Sequence, residues 1–125
     1  MSETELHRDL VAWLMSYTAG EYGEVTYVAG RSEYPDPYAI GRHEPDLIAE
    51  SSGGLVVIGE AKIGEDLDAE GSREQLADFS TAVDSETQER AMFLLCVPVG
   101  WVQAAEQMIV DAGGELHDRV TVLGV

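Results

Sequence analysis

The chain has 125 residues and a formal net charge of −17, with 24 acidic residues against seven Lys and Arg. Its length suits one domain, and its 45% hydrophobic content predicts a folded core. The single cysteine, Cys96, excludes an internal disulfide and predicts a reducing compartment, with a buried and unreactive thiol. No apolar run is long enough for a signal peptide or a membrane span, so we expect a soluble, cytoplasmic protein.

The acidity permits two interpretations. A field of this sign repels nucleic acid and membranes at ordinary ionic strength, so the acids could form a functional surface, such as a decoy of DNA. They could instead be a halophilic adaptation to salt levels at which the Debye length is only about 3 Å. The acids are scattered and form no acidic tail, which favours the halophilic interpretation.

The N-terminal part of the chain predicts one helix and one strand. Ser2 and Glu5 have the spacing of a capping box. Gly20 is predicted to end the helix, whose apolar residues recur at helical spacing: Leu6, Leu10, Trp13, Leu14 and Tyr17. Residues 24–30 predict a strand, and residues 31–43, with two prolines and a glycine, predict a loop.

The middle of the chain predicts a hairpin followed by a helix. Residues 45–50 and 55–62 predict two strands that are joined by the turn at 51–54. A loop rich in Gly and Asp, 64–71, comes next. A helix is then predicted over 72–83, because its first residue is a capping serine.

The last part of the chain predicts a buried strand at 91–97, a helix at 101–112 that is stopped by a Gly-Gly pair, and a closing strand at 119–125. The order is then α-β-β-β-α-β-α-β over a single domain, residues 1–125. We expect an α/β fold of three layers, in which helices flank a mixed central sheet.

Chemistry-bearing residues lie on the predicted hairpin. Since side chains alternate across a strand, Glu60 and Lys62 share one face, roughly 6–7 Å apart. If the hairpin is centred on Gly53, Asp46 lies directly opposite Glu60, with Cβ atoms about 4.5–5.5 Å apart. The two carboxylates and the amine are therefore predicted to lie on one side of the sheet.

Two carboxylates so placed repel each other unless a cation intervenes. Mg²⁺ prefers oxygen ligands and is commonly held by one or two carboxylates. Lys62 is the only lysine in the chain, and beside the ion it could hold or deprotonate the attacking water or neutralise phosphoryl charge. The alternative is an ordinary Lys–Glu neighbour pair, with Asp46 in a turn. The lysine's uniqueness and the matching strand faces favour a metal-dependent phosphodiesterase site.

Pro45-Asp46 followed by Glu60-Ala61-Lys62 resembles the motif of the PD-(D/E)XK nuclease superfamily. The resemblance implies a restriction-endonuclease-like core, αβββαβ, here with one further αβ unit. It also implies that Asp46 and Glu60 bind Mg²⁺ or Mn²⁺, that the Ala61 carbonyl is a further ligand, and that Lys62 is the catalytic lysine.

The family often adds a glutamate from the first helix. Glu3 lies close to the apolar stripe on a helical wheel, whereas Glu5 points away from it and is explained as the capping partner of Ser2. Glu3 is therefore our candidate for a further metal ligand. Two histidines, His7 and His117, carry no signal of their own.

Many exonuclease-like members carry Gln-x-x-x-Tyr on the helix after the central strand, and Gln75 with Phe79 is similar. Gln75 would then orient the lysine or a phosphate. It could equally serve only in the capping box of its helix, and the phenylalanine lacks the tyrosine hydroxyl.

The loop at 31–43 offers possible substrate contacts. Arg31 and Arg42 flank Tyr34 and Tyr38, which could contact a phosphate backbone or stack on a base. Solvated arginines explain the same pattern equally well. His43, beside a glutamate, could assist the metal but is more simply incidental.

Two functions follow from these residues. The first is a stand-alone Mg²⁺- or Mn²⁺-dependent nuclease acting on DNA, in repair, phage defence or a mobile element, with no membrane association. Cutting two strands needs two active sites, so a homodimer is expected. The second is a non-catalytic acidic binding module on the same fold, which occupies a DNA-binding partner.

Overall fold

The computed structural model describes residues 3–40, 43–50, 56–63, 75, 79, 91–112 and 120–125. Within these residues a five-stranded mixed β-sheet packs against two α-helices, which confirms the predicted α/β class. The helices are α1 (Glu3–Glu21) and α2 (Val102–Ala112), and the strands are β1 (Tyr27–Val28), β2 (Leu47–Glu50), β3 (Val56–Ala61), β4 (Met92–Val97) and β5 (Val120–Gly124). Neither of these helices combines the length and apolarity needed to cross a membrane.

Several predicted elements fall outside the described residues: Ser2, the turn at 51–54, the loop at 64–71 and the Gly-Gly pair after α2. The helix predicted over 72–83 is represented only by Gln75 and Phe79, which are both helical. The strands β2 to β5 and α2 agree with their predicted ranges to within two residues at each end.

The strands run in the spatial order β1-β2-β3-β4-β5. The first three are antiparallel neighbours, whereas β3, β4 and β5 are parallel to one another. Parallel neighbours need a crossover connection, and α2 lies in the connection between β4 and β5. The sheet is therefore mixed, as predicted, while the complete restriction-endonuclease-like element order stays a prediction.

Two apolar clusters lie on opposite faces of the sheet. Val57 and Ala61 of β3 belong to the cluster that contains Leu14 of α1. Ile58 of β3 belongs to the cluster that contains Ala105 of α2. The alternation predicted for β3 is thus observed, and it agrees with a three-layer arrangement in which each helix covers one face.

Gly59 of β3 allows α1 to approach the sheet closely. A Cβ atom at this position would lie 2.8 Å from Cγ of Leu47 and 3.0 Å from Cδ2 of Leu14, both fully buried. Such contacts are shorter than packed carbon atoms tolerate. The missing side chain at Gly59 therefore sets how close the first helix lies to the strand that carries Glu60.

The strand predicted over 24–30 is wrong in extent, because only Tyr27–Val28 form ladder pairs. The chain bends at both ends of this segment, where Gly23 and Gly30 have φ angles of 138° and 70°. These angles lie in the region that favours glycine. The N–H of Ala29 still donates to the Asp46 carbonyl at 2.9 Å, so the short edge strand continues to hold the start of β2.

The end of α1 also differs from the prediction, since the helix passes through Gly20 and ends at Glu21. The Thr18 carbonyl accepts N–H groups from Tyr22 at 2.9 Å and Gly23 at 3.1 Å. Shared acceptors of this kind are common at helix ends, and a glycine with positive φ commonly follows them. Gly23 therefore terminates the helix in place of Gly20.

Candidate metal centre

The register of the β2–β3 hairpin places Asp46 against Glu60. Leu47 pairs with Gly59, so one further step along the antiparallel ladder brings Asp46 opposite Glu60. The Asp46 Oδ2 atom accepts the Ala61 N–H at 2.8 Å, which fixes the carboxylate at the end of β3. The register predicted from the hairpin centre is confirmed for Leu47–Glu50 of β2, and Asp46 lies one residue before the first pair of the ladder.

A third residue, His7, reaches the same point from α1. Its Nε2 atom lies 3.2 Å from Oδ2 of Asp46, and the side chains of His7 and Asp46 are 37% and 16% exposed. One ligand atom from each of His7, Asp46 and Glu60 lies within 4.8 Å of the others. A helix and two strands therefore converge on one small volume lined by potential metal ligands.

Burial and the interaction between the two carboxyl groups shift their pKa values in opposite directions. Burial, the largest effect, raises the pKa of Glu60 well above its ordinary value, the Asp46 carboxylate raises it further, and Lys62 opposes both. Burial also acts to raise the pKa of Asp46, but interactions with Glu60, His7 and the Ala61 N–H outweigh it and lower that pKa. The pKa values of the two carboxyl groups are thus driven apart, so Glu60 holds a proton more tightly than Asp46 does.

The charge on Asp46 in turn acts on His7. The hydrogen bond to Asp46 raises the pKa of His7 despite the opposing effect of burial. The nearby Ala61 backbone acts on this pKa in the same direction. Ala61, whose carbonyl was predicted as a metal ligand, therefore borders the cluster.

Lys62, one residue past the end of β3, acts electrostatically on the cluster. Its N–H donates to the Cys96 carbonyl at 2.9 Å, so the backbone is held by β4, and the residue is half-buried. Its positive charge lowers the pKa values of both His7 and Glu60, which requires the amine to be within electrostatic reach of each.

An unsatisfied atom indicates that the cluster suits a cation. Oε2 of Glu60 is buried and has no hydrogen-bond partner among the described residues. Leaving such an atom unpaired costs about 1–3 kcal/mol or more. Carboxylate oxygens suit Mg²⁺ and Mn²⁺, and imidazole suits transition ions. The set of His7, Asp46 and Glu60 therefore fits a divalent cation, with Mn²⁺ favoured over Mg²⁺.

Two other predicted site residues are only partly described. Glu3 begins α1, but its side chain lies outside the described residues. Gln75 is helical and half-buried, and its Oε1 atom is buried without a hydrogen-bond partner in the described part of the chain. An orphan amide oxygen is compatible with a functional role for Gln75, but nothing places it at the cluster.

Phe79 belongs to the core. It is fully buried, and its ring centroid lies 5.5 Å from that of Phe93 and 6.4 Å from that of His43. A tyrosine hydroxyl would enter an apolar cluster there, so phenylalanine suits the position. His43 packs edge-on against Phe79 and is not among the clustered ligands of the described residues.

The aromatic residues of the 31–40 loop are divided between core and surface. Tyr34 packs against the α1-side cluster, whereas Tyr38 is 46% exposed and meets the ring of Tyr27 edge-on at 5.4 Å. Arg31 is half-buried, and Arg42 lies outside the described residues. Tyr38 is thus the ring of this loop that remains accessible.

Sequence reasoning missed His7, although a positional signal exists. The buried residues of α1 include Leu10, Leu14 and Thr18, a stripe at helical spacing. His7 continues this stripe one turn toward the N-terminus. A polar, metal-binding residue type that extends a buried stripe past its apolar end is the pattern that could have identified it.

Cys96 behaves as predicted for a core thiol. It is fully buried in β4, and its Sγ atom lies 3.9 Å from the Leu10 carbonyl. Burial, together with the charge on Asp46, raises the pKa of the thiol to about 12. The cysteine therefore stays protonated and is not a thiolate ligand at neutral pH.

Comparison of the chain with protein-family models, with curated proteins and with solved structures gives no match. The resemblance to the PD-(D/E)XK superfamily therefore stays a prediction from the motif. His7, Asp46 and Glu60 remain the clustered potential metal ligands of the described residues.

Proposed function

We propose that this chain is a metal-dependent nuclease of the PD-(D/E)XK type that hydrolyses phosphodiester bonds of DNA. One observation carries the proposal: Asp46 and Glu60 meet across neighbouring strands, with the His7 ring and the charge of Lys62 beside them. The same four residues provide ligands for a cation and a fixed positive charge next to it.

In this proposal His7, Asp46 and Glu60 hold Mn²⁺ or Mg²⁺, with the Ala61 carbonyl beside them. When bound, the ion supplies Lewis acidity and an activated water. Glu60 would bind the ion in its carboxylate form, with its proton passing to solvent, and the lowered pKa of Asp46 favours the charged form that a ligand needs. Lys62 donates a hydrogen bond to the attacking water or to a non-bridging phosphoryl oxygen, where negative charge develops.

A homodimer is part of the proposal for any two-strand cut, since one chain offers one such cluster in its described residues. Light scattering on the purified protein measures the mass directly. A monomer that nicks one strand would limit the activity to single-strand chemistry.

A cleavage panel tests the function. Linear, single-stranded, nicked and branched DNA, with an RNA strand for comparison, are incubated with Mn²⁺ or Mg²⁺ from low to multimolar salt. We expect cleavage that is lost in Asp46→Asn, Glu60→Gln and Lys62→Ala. Glu50→Gln is the matched control, because Glu50 is an exposed carboxylate at the far end of β2. Equal cutting by all four variants and the parent would reject the assignment.

The net charge of −17 favours a second candidate, the non-catalytic acidic module that occupies a DNA-binding partner. That function needs no cation, so Mn²⁺ would leave the melting temperature unchanged. Cleavage found only at high salt would instead support the halophilic origin of the acidity, because salt normally weakens phosphate contacts.

A further inference from the structure

Arg31 is tied to two elements that carry metal-centre residues. Its guanidinium donates to the Arg8 carbonyl at 3.1 Å, and Arg8 directly follows His7 in α1. Two residues before Arg31, the Ala29 N–H donates to the Asp46 carbonyl at 2.9 Å. The guanidinium therefore lies against α1 at the residue that directly follows His7.

The backbone around Arg31 forms a defined turn. Gly30 has a φ of 70°, the Tyr34 N–H donates to the Arg31 carbonyl at 3.1 Å, and the Val28 N–H donates to the Pro35 carbonyl at 3.1 Å. A side chain anchored at both its backbone and its guanidinium loses less conformational entropy when it binds a ligand.

Positive charge is concentrated near the metal centre. Within the described residues the permanently charged cations are Arg8, Arg31 and Lys62. Each adjoins the cluster: Arg8 follows His7, Lys62 follows the Glu60-Ala61 pair, and Arg31 bonds to the backbone of Arg8. On a chain of net charge −17, these three are the described side chains with a permanent positive charge that could bind a phosphate group near the cluster.

Arg31 also remains available to an anion. The ion pair recorded for the described residues joins His7 and Asp46, so no described carboxylate pairs with Arg31. The nearby acids have other contacts, since Asp36 accepts the Gly30 N–H at 3.4 Å and Glu33 contacts the Ser32 hydroxyl at 3.5 Å. A guanidinium carries five N–H donors in a planar fork, and the Arg8 carbonyl occupies one side of it.

We propose that Arg31 binds a phosphate of the substrate strand that flanks the scissile phosphate. A phosphate accepts the two parallel N–H groups of a guanidinium, which a carboxylate would otherwise take. The inference rests on the proposed nuclease function, because it needs a polyphosphate strand at the metal centre. Arg31 then strengthens substrate binding and leaves the chemical step to His7, Asp46, Glu60 and Lys62.

The test compares Arg31→Gln with Arg8→Gln, which removes the same charge from the neighbouring exposed residue. Both are made in the parent for kinetics and in Lys62→Ala for binding of a fluorescent oligonucleotide with Mn²⁺ over a salt series. For Arg31→Gln we expect Kd and KM to rise roughly tenfold, and the salt slope of log Kd to fall by about 0.7–0.9. For Arg8→Gln we expect less than a twofold change.

A further variant, Arg31→Lys, keeps the positive charge and loses the planar fork of N–H donors, so a Kd between those of the parent and Arg31→Gln is expected.

Two further readouts separate substrate binding from a structural role of Arg31. In Arg31→Gln we expect kcat to be unchanged, and Mn²⁺ to raise the melting temperature as much as it does in the parent. If the parent cuts DNA but Arg31→Gln and Arg8→Gln behave alike, this inference fails and the nuclease assignment stands. A changed Mn²⁺ shift in Arg31→Gln also overturns it. If the parent neither binds nor cuts any strand, both proposals fail.

Discussion

Nε2 of His7 lies 3.2 Å from Oδ2 of Asp46, although the two residues are 39 positions apart in the chain. This contact joins α1 to the β2–β3 hairpin at the point where Glu60 is buried beside a second carboxylate. An imidazole and two carboxyl groups at this distance are either a proton-sharing cluster or a cation site. The predictions below separate the two states.

Mn²⁺ should stabilise the native protein and not its ligand variants. A ligand that binds only the folded state adds about 2.7 kcal/mol to the unfolding free energy at one hundred times its Kd. We therefore expect Mn²⁺ to raise the melting temperature of the parent, and to have little effect on Asp46→Asn or Glu60→Gln. Differential scanning fluorimetry with EDTA as the reference measures the shift. Glu50→Gln should respond as the parent does, and a response in Asp46→Asn would exclude this site.

The metal-free protein should lose stability as pH rises, and Glu60→Gln should reduce this loss. The native pKa of Glu60 lies above its ordinary value of 4.5. The favourable contribution of Glu60 to the free energy of unfolding is therefore fully present below pH 4.5. It is lost as pH rises through the native pKa. The pKa of His7 is likewise raised, so its pairing with Asp46 stabilises most below its ordinary 6.5. Asp46 acts oppositely, and its contribution is lost as pH falls below its ordinary 3.8.

Urea unfolding in EDTA at pH 5 and pH 8 measures this effect. We expect the parent to be less stable at the higher pH, and Glu60→Gln to show a flatter profile with a higher unfolding free energy at pH 8. Glu50→Gln provides the profile of a variant with the same formal charge change. Parallel profiles for Glu60→Gln and Glu50→Gln would contradict the buried shared proton.

The identity of residue 7 should set the metal preference. Imidazole favours Mn²⁺ and later transition ions over Mg²⁺, whereas a third carboxylate suits Mg²⁺. His7→Ala should weaken Mn²⁺ binding by about tenfold or more. His7→Glu should restore binding and move the preference toward Mg²⁺. Isothermal titration with both ions measures the ratio, and the same ratio in the parent and His7→Glu would show that His7 is not a ligand.

Gly59→Ala should destabilise the fold by about 1–3 kcal/mol, because the added methyl group meets buried carbon atoms of Leu47 and Leu14. Gly20→Ala is the matched control, since nothing lies within 4 Å of its Cβ position and the residue is within α1. It should stabilise by about 0.5–1 kcal/mol. Urea midpoints measure both. The rise in melting temperature on adding Mn²⁺ should also be smaller in Gly59→Ala, because displacing α1 moves His7 away from Asp46.

The hairpin geometry was accessible from sequence because it depends on short-range rules. A Ser/Gly turn between two β-rich segments fixes the register, and alternation then fixes which side chains share a face. The hairpin register over Leu47–Glu50 and the burial of Cys96 follow from those rules and are observed, and the Asp46 and Glu60 side chains each bring a ligand atom to one cluster.

The rest depended on tertiary packing. The contribution of α1 was predicted as Glu3, from the family resemblance and a helical wheel. The described contact comes instead from His7, where α1 lies over Gly59. The extent of β1 was overestimated because local β-propensity does not register the bends at Gly23 and Gly30. A local sequence pattern encodes neither the angle at which α1 packs on the sheet nor the number of residues that β1 pairs at the sheet edge.

The two edges of the sheet differ in what they offer to another chain. On one side β1 has only two residues, too short to template a neighbouring strand, whereas β5 on the other side is five residues long and uncharged. Strand pairing between copies through the described edges would therefore use β5 against β5. Such a contact would be self-complementary and would close after two molecules, unlike a head-to-tail contact, which can extend into a fibre.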